Sequence, residues 1–235
     1  MYTTPKKLLS DGFSNAKTKK NDLKTFILYL APYNQNSKKI NICPKASKGC
    51  AASCLFSAGR GAMSSVILSR TNKTEYLLND KKTFIEQLAK EILTKVKTAK
   101  KKGYKVAFRL NGTSDLDFVY MLKKYASLDI ETIKENAVFY DYTKILGKVK
   151  KYIKHPNYKL TFSRAEDNET ETLEALKLGA NVSAVFANNL PKSYKGFKVL
   201  DGDKSDDIMI NAKNVILGLQ AKGEEKKDKS GFVIN

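Results

Sequence analysis

From residue 105 onward, short apolar runs alternate with amphipathic helical segments. "KVAFRL" (105–110) reads as a strand and "LDFVYMLKKYA" (116–126) as a helix. "AVFYDY" (137–142) and "YKLTFS" (158–163) are strands, each followed by a helix, at 144–153 and 168–179. Further strands are expected at 182–187, 198–202 and 214–220. Upstream, "TFILYLAPY" (25–33) is a short apolar run that stops near Pro32 and reads as a buried strand. Phe84, Ile85, Leu88, Ile92, Leu93, Val96 and Ala99 repeat at helical spacing until Gly103. Strand–helix alternation predicts parallel βα units in an α/β domain. Seven such strands point to a partial or open βα barrel over 25–223. Residues 1–24 read as a flexible basic arm. Residues 224–235 read as a charged tail with a short apolar end that docks. There is no Gly-x-Gly-x-x-Gly and no Walker A loop, so neither nucleotide-binding fingerprint supports a Rossmann or P-loop reading.

Polar residues collect where the expected strands end. They are Asn111, Thr113, Ser114 and Asp115; Asp141, Thr143 and Lys144; Ser163, Arg164 and Glu166. Asn188, Asn189, Asp201, Asp203 and Lys222 follow the later strands. In parallel α/β folds these ends share one rim, where sites form. Asn111, Ser114, Asp115, Asp141, Ser163, Arg164 and Asp203 are therefore candidates for holding a cofactor or substrate. Ordinary helix capping also explains a residue such as Asp115 or Asn168.

The loop "CPKASKGCAASCLFSAGR" (43–60) holds every cysteine: Cys43, Cys50 and Cys54. An odd, clustered set argues against a disulfide framework and for thiols kept reduced, as in a cytoplasm. Cys50 and Cys54 are four apart, so one helical turn would put both on one face. Three thiolates can hold three irons of a [4Fe–4S] cluster and leave the fourth iron open. Zinc is the rival, but a structural zinc site wants a fourth ligand. The only histidine, His155, reads as a turn residue before Pro156. A lone nucleophilic cysteine would lack a nearby base, and three small buried side chains remain the plain alternative. Glycines in "AGRGA" (58–62) allow close backbone approach, and Arg60 can donate to cluster sulfur or an anionic ligand.

The net charge is +19, much of it in lysine runs such as "KEILTKVKTAKKK" (90–102). Such a charge attracts polyanions, nucleic acid among them, and also suits a plain solvated lysine surface. Along the sequence the lysines are not interleaved with aromatics as in a single-strand platform. No apolar run reaches membrane-spanning length, and the N-terminal segment lacks a secretory h-region.

A first strand, a three-cysteine loop and βα repeats resemble the radical S-adenosylmethionine architecture. That resemblance implies a cluster whose open iron binds S-adenosylmethionine. The usual motif there is Cys-x3-Cys-x2-Cys, and this chain has Cys-x6-Cys-x3-Cys with Ser53 before the last cysteine. A closer resemblance is to uncharacterised phage proteins of the gene product 88 type. It rests on Cys43, Pro44, Ala46, Gly49, Cys50, Cys54, Leu55, Gly59 and Arg60, and on "FRLNGTSD" (108–115), "DGDKSD" (201–206), "VILGLQAKG" (215–223) and "KSGFVIN" (229–235). It implies a phage origin and an iron–sulfur-like loop. Two functions fit these residues: a radical-SAM-like iron–sulfur enzyme, or a non-catalytic protein, iron–sulfur or zinc-stapled, that contacts nucleic acid.

Overall fold

The computed structural model describes residues 2–14, 18–52, 54 and 59–235. In chain order its first elements are β1 (Leu9–Asp11), β2 (Lys24–Leu28), α1 (Lys48–Ala52), α2 (Ser64–Asn79) and α3 (Lys81–Lys101). Then come β3 (Val106–Arg109), α4 (Phe118–Ala126), β4 (Ala137–Thr143), α5 (Leu146–Tyr152), β5 (Tyr158–Ser163) and α6 (Glu169–Lys177). The chain finishes with β6 (Asn181–Phe186), β7 (Ser193–Tyr194), β8 (Phe197–Asp201), α7 (Asp207–Asn211), β9 (Ile216–Gln220) and β10 (Val233–Ile234). The fold is mixed α/β with mostly parallel strands.

Residue contacts divide the chain into two units. One comprises Met1–Ser14, Leu23–Pro44 and Leu55–Phe139; the other comprises Asn15–Asp22, Lys45–Cys54 and Tyr140–Asn235. The division falls inside β4.

In the first unit the strand order is β1-β2-β3-β4, with β1 antiparallel and the others parallel. Phe26, Phe108 and Phe139 lie in register on adjacent strands. Their rings stack at 5.9 and 5.0 Å between centroids. α3 buries Phe84, Ile85, Leu88, Ile92, Val96 and Ala99 of the expected stripe together with Ala89, while Leu93 turns to solvent at 44% exposed because it lies off that face; Asp80 caps the start by accepting from the Thr83 amide. Within the first 24 residues, Leu9–Asp11 pairs with Phe26–Leu28. The Glu91 carboxylate accepts the Leu8 and Leu9 amides at 2.8 and 2.9 Å, and Leu8 is fully buried.

In the second unit the order is β4-β5-β6-β9-β8-β7, an open path in which β9 lies between β6 and β8. A simple βα barrel would place strands in chain order; here the chain passes to β8 and returns. The antiparallel β7–β8 pair ends the sheet. β9 pairs with β6 over Val182–Phe186 on one edge. On the other edge β6 meets β5 at Asn181–Ser183 and β10 at Val185–Phe186. A strand has two edges, so the C-terminal β10 continues the line of β5 past its end. The main core packs Phe162, Val182, Ala184, Phe186 and Ile216 against Val149, Ala175 and Leu176 from α5 and α6. Two buried phenol–carboxylate bonds, Tyr140 to Asp206 at 3.0 Å and Tyr158 to Asp141 at 3.1 Å, tie down β4 and β5.

Candidate functional site

The best-built feature is in the second unit, where β5 ends. Ser47 precedes α1 and acts as its cap: its hydroxyl accepts from the Cys50 amide at 3.1 Å. The same hydroxyl donates to Glu166 Oε2 at 2.7 Å, while Glu166 Oε1 accepts the Gly49 amide at 2.7 Å. One carboxylate thus clamps the cysteine-bearing turn to the end of β5. Burial alone would raise the Glu166 pKa, but the bonds from Gly49 and Ser47 outweigh it and hold the carboxyl below the usual range.

Cys50 is half-buried and packs against Ala165, Val185, Ala221, Phe232 and Val233. Phe232 belongs to this cluster. The Lys144 ammonium lies 5.7 Å from its ring centre and also donates to Ser163 Oγ at 3.0 Å. Arg164 donates to the Gly231 and Phe232 carbonyls at 2.5 and 2.8 Å, fastening the C-terminal segment over the end of β5. Asp228 closes that segment by accepting from the Ser230 hydroxyl and the Val233 amide. Desolvation opposes its charge, but these bonds keep its carboxyl below the usual range. A shallow cavity of about 380 Å3 lies beside α1, lined by Lys48, Gly49, Ala52 and, from the C-terminal segment, Lys227, Asp228 and Lys229.

In the first unit the "NGTSD" loop closes on itself and on the strand beside it. Asn111 Oδ1 accepts from the Ser114 hydroxyl and the Leu116 amide, both at 2.8 Å. Thr113 exchanges two bonds with the Leu30 backbone. The Asp115 amide donates to the Ile42 carbonyl at 2.9 Å. A Cβ on Gly112 would come within 2.8 Å of the Leu28 carbonyl, so only glycine fits there without a shift. Cys43 follows Ile42. Its amide donates to Asn41 Oδ1 at 2.9 Å, and its thiol lies 3.9 Å from the Thr113 carbonyl.

The structure therefore groups Asn111, Ser114 and Asp115 with Cys43 in one unit, and Ser163 and Arg164 with Cys50 in the other. Asn111 and Ser114 spend hydrogen bonds on the turn itself. Asp141 is 1% exposed and accepts from Tyr158, which makes it an interior group. Asp203 joins the ends of β8 and β9, accepting from the Gln220 amide and from Lys222 Nζ. Arg60 is exposed, in a short 3-10 turn (Gly59–Ala62). Cys54 is exposed and follows α1, which ends at Ala52. The parts that residue reading did not single out are Ser47, Gly49 as a close-approach residue, Phe232, and Glu166 as the clamp. The signal for Ser47 was its position three residues before Cys50, the spacing of a helix cap.

The gene product 88 family profile matches residues 7–235. The chain belongs to this family. No curated protein and no solved structure matches it. In this gene product 88 chain none of the three thiols is in a disulfide, and thiolate is a ligand type that soft metals take. Among the described residues, no three His, Cys, Asp or Glu side chains are grouped to hold a metal ion. Ser53 and residues 55–58 of the cysteine loop lie outside the described residues. No helix among the described residues is long and apolar enough to cross a membrane.

The Glu166 clamp makes a pH prediction. A carboxyl whose folded pKa is depressed stabilises the fold above its ordinary value, here 4.5, and loses that contribution as pH falls through the lower folded value. Glu166→Gln should cost about 2 kcal/mol at neutral pH, the scale of hydrogen bonds to a charged group. The difference from wild type in urea midpoints should shrink as pH drops below 4.5. A difference that stays constant with pH would show that the charge plays no part.

Proposed function

We propose that the chain is a phage-type iron–sulfur protein in which Cys43, Cys50 and Cys54 ligate a [4Fe–4S] cluster. The observation that carries this reading is the clamp: Glu166 fixes the backbone of Ser47–Gly49 at a strand end, directly beside Cys50, whose thiol is in no disulfide. Cys43 is likewise held at a strand-end turn in its own unit, by Asn41 and Thr113. A cluster bound by three thiolates would supply an open iron able to take a small ligand and pass it one electron.

The finer form is a radical-SAM-like enzyme of the host cytoplasm, with S-adenosylmethionine as that ligand. Its own residues would then orient and shield. Arg164 and Lys144 provide positive charge beside Ser163. Arg60 would donate to cluster sulfur or to the ligand's carboxylate. Asn111, Ser114, Asp115, Asp141 and Asp203 complete the proposed binding set, of which Asn111, Ser114 and Asp141 would act by shaping the site. A second reading keeps the thiolate centre, iron–sulfur or zinc, as a staple and assigns the function to nucleic-acid contact; the net charge of +19 supports it.

Anaerobic reconstitution followed by EPR distinguishes the two. The enzyme reading expects the reduced spectrum to change on adding S-adenosylmethionine, with release of 5′-deoxyadenosine. An iron–sulfur spectrum indifferent to that molecule, with no product, leaves the staple reading.

A further inference from the structure

α3 shows solvent a stripe that its core-facing residues do not use. Lys90, Leu93, Thr94 and Lys97 follow one another at helical spacing along it, and Leu93 is 44% exposed. α4 packs alongside α3 in the same unit. Between them runs an open groove of about 570 Å3, lined by that stripe and by Tyr125. Tyr120, five residues before Tyr125 on α4 and outside the groove lining, is 48% exposed. Lys124 sits with the two rings, its ammonium 5.5 Å from the centre of Tyr120 and 5.3 Å from that of Tyr125. Among the described residues lining the groove Glu86 is the one acid, and Lys82 pairs with it at 3.8 Å. Lys123, on the same helix as the tyrosines, is taken up by Asp129 at 2.8 Å.

We infer that this α3–α4 groove binds single-stranded nucleic acid, with phosphates on Lys90 and Lys97 inside it and on Lys124 beside Tyr125, and a base on Tyr120 next to Lys124. A single-strand site needs cations that track a backbone and exposed aromatic faces on which bases stack. Along the chain Lys90 and Lys97 lie far from the tyrosines at 120 and 125, and Lys124 lies between those tyrosines. Helix packing brings Lys90 and Lys97 into one groove with Tyr125, and Lys124 lies between the Tyr125 and Tyr120 rings. A duplex would hide its bases and leave the rings unused, and an acidic peptide would use the lysines without needing a stacking face. The inference locates the contact of the second reading above and does not depend on what the cysteines hold.

The test is fluorescence anisotropy of a labelled oligothymidylate with the full chain, repeated over a salt series. Tyr120→Ala should weaken binding about fivefold or more, the low end of one stacked base, while Tyr120→Phe binds as wild type. Lys90→Gln/Lys97→Gln should lower the slope of log K against log salt by about 1.4, at ~0.7 per phosphate for single strands. Lys198→Gln/Lys204→Gln, which removes the same charge from exposed positions of the other unit, should leave the slope in place. The inference is overturned if Tyr120→Ala binds like wild type, if the control pair costs as much as the groove pair, or if duplex binds as tightly. Displacement by poly-glutamate as readily as by unlabelled oligonucleotide would assign the groove to an acidic protein instead. No binding even at low salt would remove the nucleic-acid reading altogether; binding indifferent to all four variants would remove only the groove.

Discussion

Phe108→Ala should lower the unfolding free energy of the chain by about 3–5 kcal/mol, the range for deleting a buried aromatic ring. Phe108 is fully buried on β3, and its ring is the middle of a three-ring stack with Phe26 and Phe139. The neighbours are held by strand register, Phe26 on β2 and Phe139 on β4, so neither backbone can move in to fill the space. The cavity cost is therefore added to the lost transfer energy. Against a net stability of ~5–15 kcal/mol, such a loss removes a large share. A urea titration reads it as a lower midpoint with an unchanged slope. Phe13→Ala is the contrast: that ring is 65% exposed, and its removal should change stability by no more than ~0.5 kcal/mol.

Gly49→Val should unseat the cysteine turn. A Cβ at Gly49 would lie 2.8 Å from Phe232 Cβ and 3.0 Å from Glu166 Oε1, and would also run into Ser230 Oγ. These atoms belong to the packed cluster and to the clamp, so relief must come from α1 lifting away. Overpacking of this kind costs ~1–3 kcal/mol. Lifting also parts the Gly49 amide from Glu166, and Cys50 leaves the apolar wall it packs against. Hydrogen exchange at the Gly49 and Cys50 amides should speed up at least tenfold, the equivalent of ~1.4 kcal/mol of local stability. Gly147→Ala, at a helical glycine with nothing within 4 Å of the added Cβ, should stabilise slightly, by ~0.5–1 kcal/mol. If Gly49→Val leaves exchange at Cys50 unchanged, the clamp does not hold the turn.

Much of the secondary structure was legible because the signals were local. β5 falls on the apolar run at 158–163, and α3 follows the periodicity read from Phe84 to Ala99. The strand order was not legible. Nothing local says that β9 inserts between β6 and β8, since parallel pairing depends on which buried faces meet. Nor was β1: three residues carry no period, and its anchor, Glu91, lies some eighty positions away on α3. At the cysteine loop, clustering was visible, but the carboxylate that fixes it was only one polar residue among several at strand ends. Glu166 became distinct once its two partners, Ser47 and Gly49, were seen. Tyr125 beside Lys90 and Lys97 was hidden for the same reason, because adjacency there is made by helices packing.

The central claim is that the three cysteines bind an iron–sulfur cluster. Elemental analysis of protein purified without oxygen tests it most directly. The account predicts about four irons and matching acid-labile sulfide per chain, as a [4Fe–4S] cluster requires, lost when any of Cys43, Cys50 or Cys54 is changed to serine. One zinc per chain with no iron would contradict it.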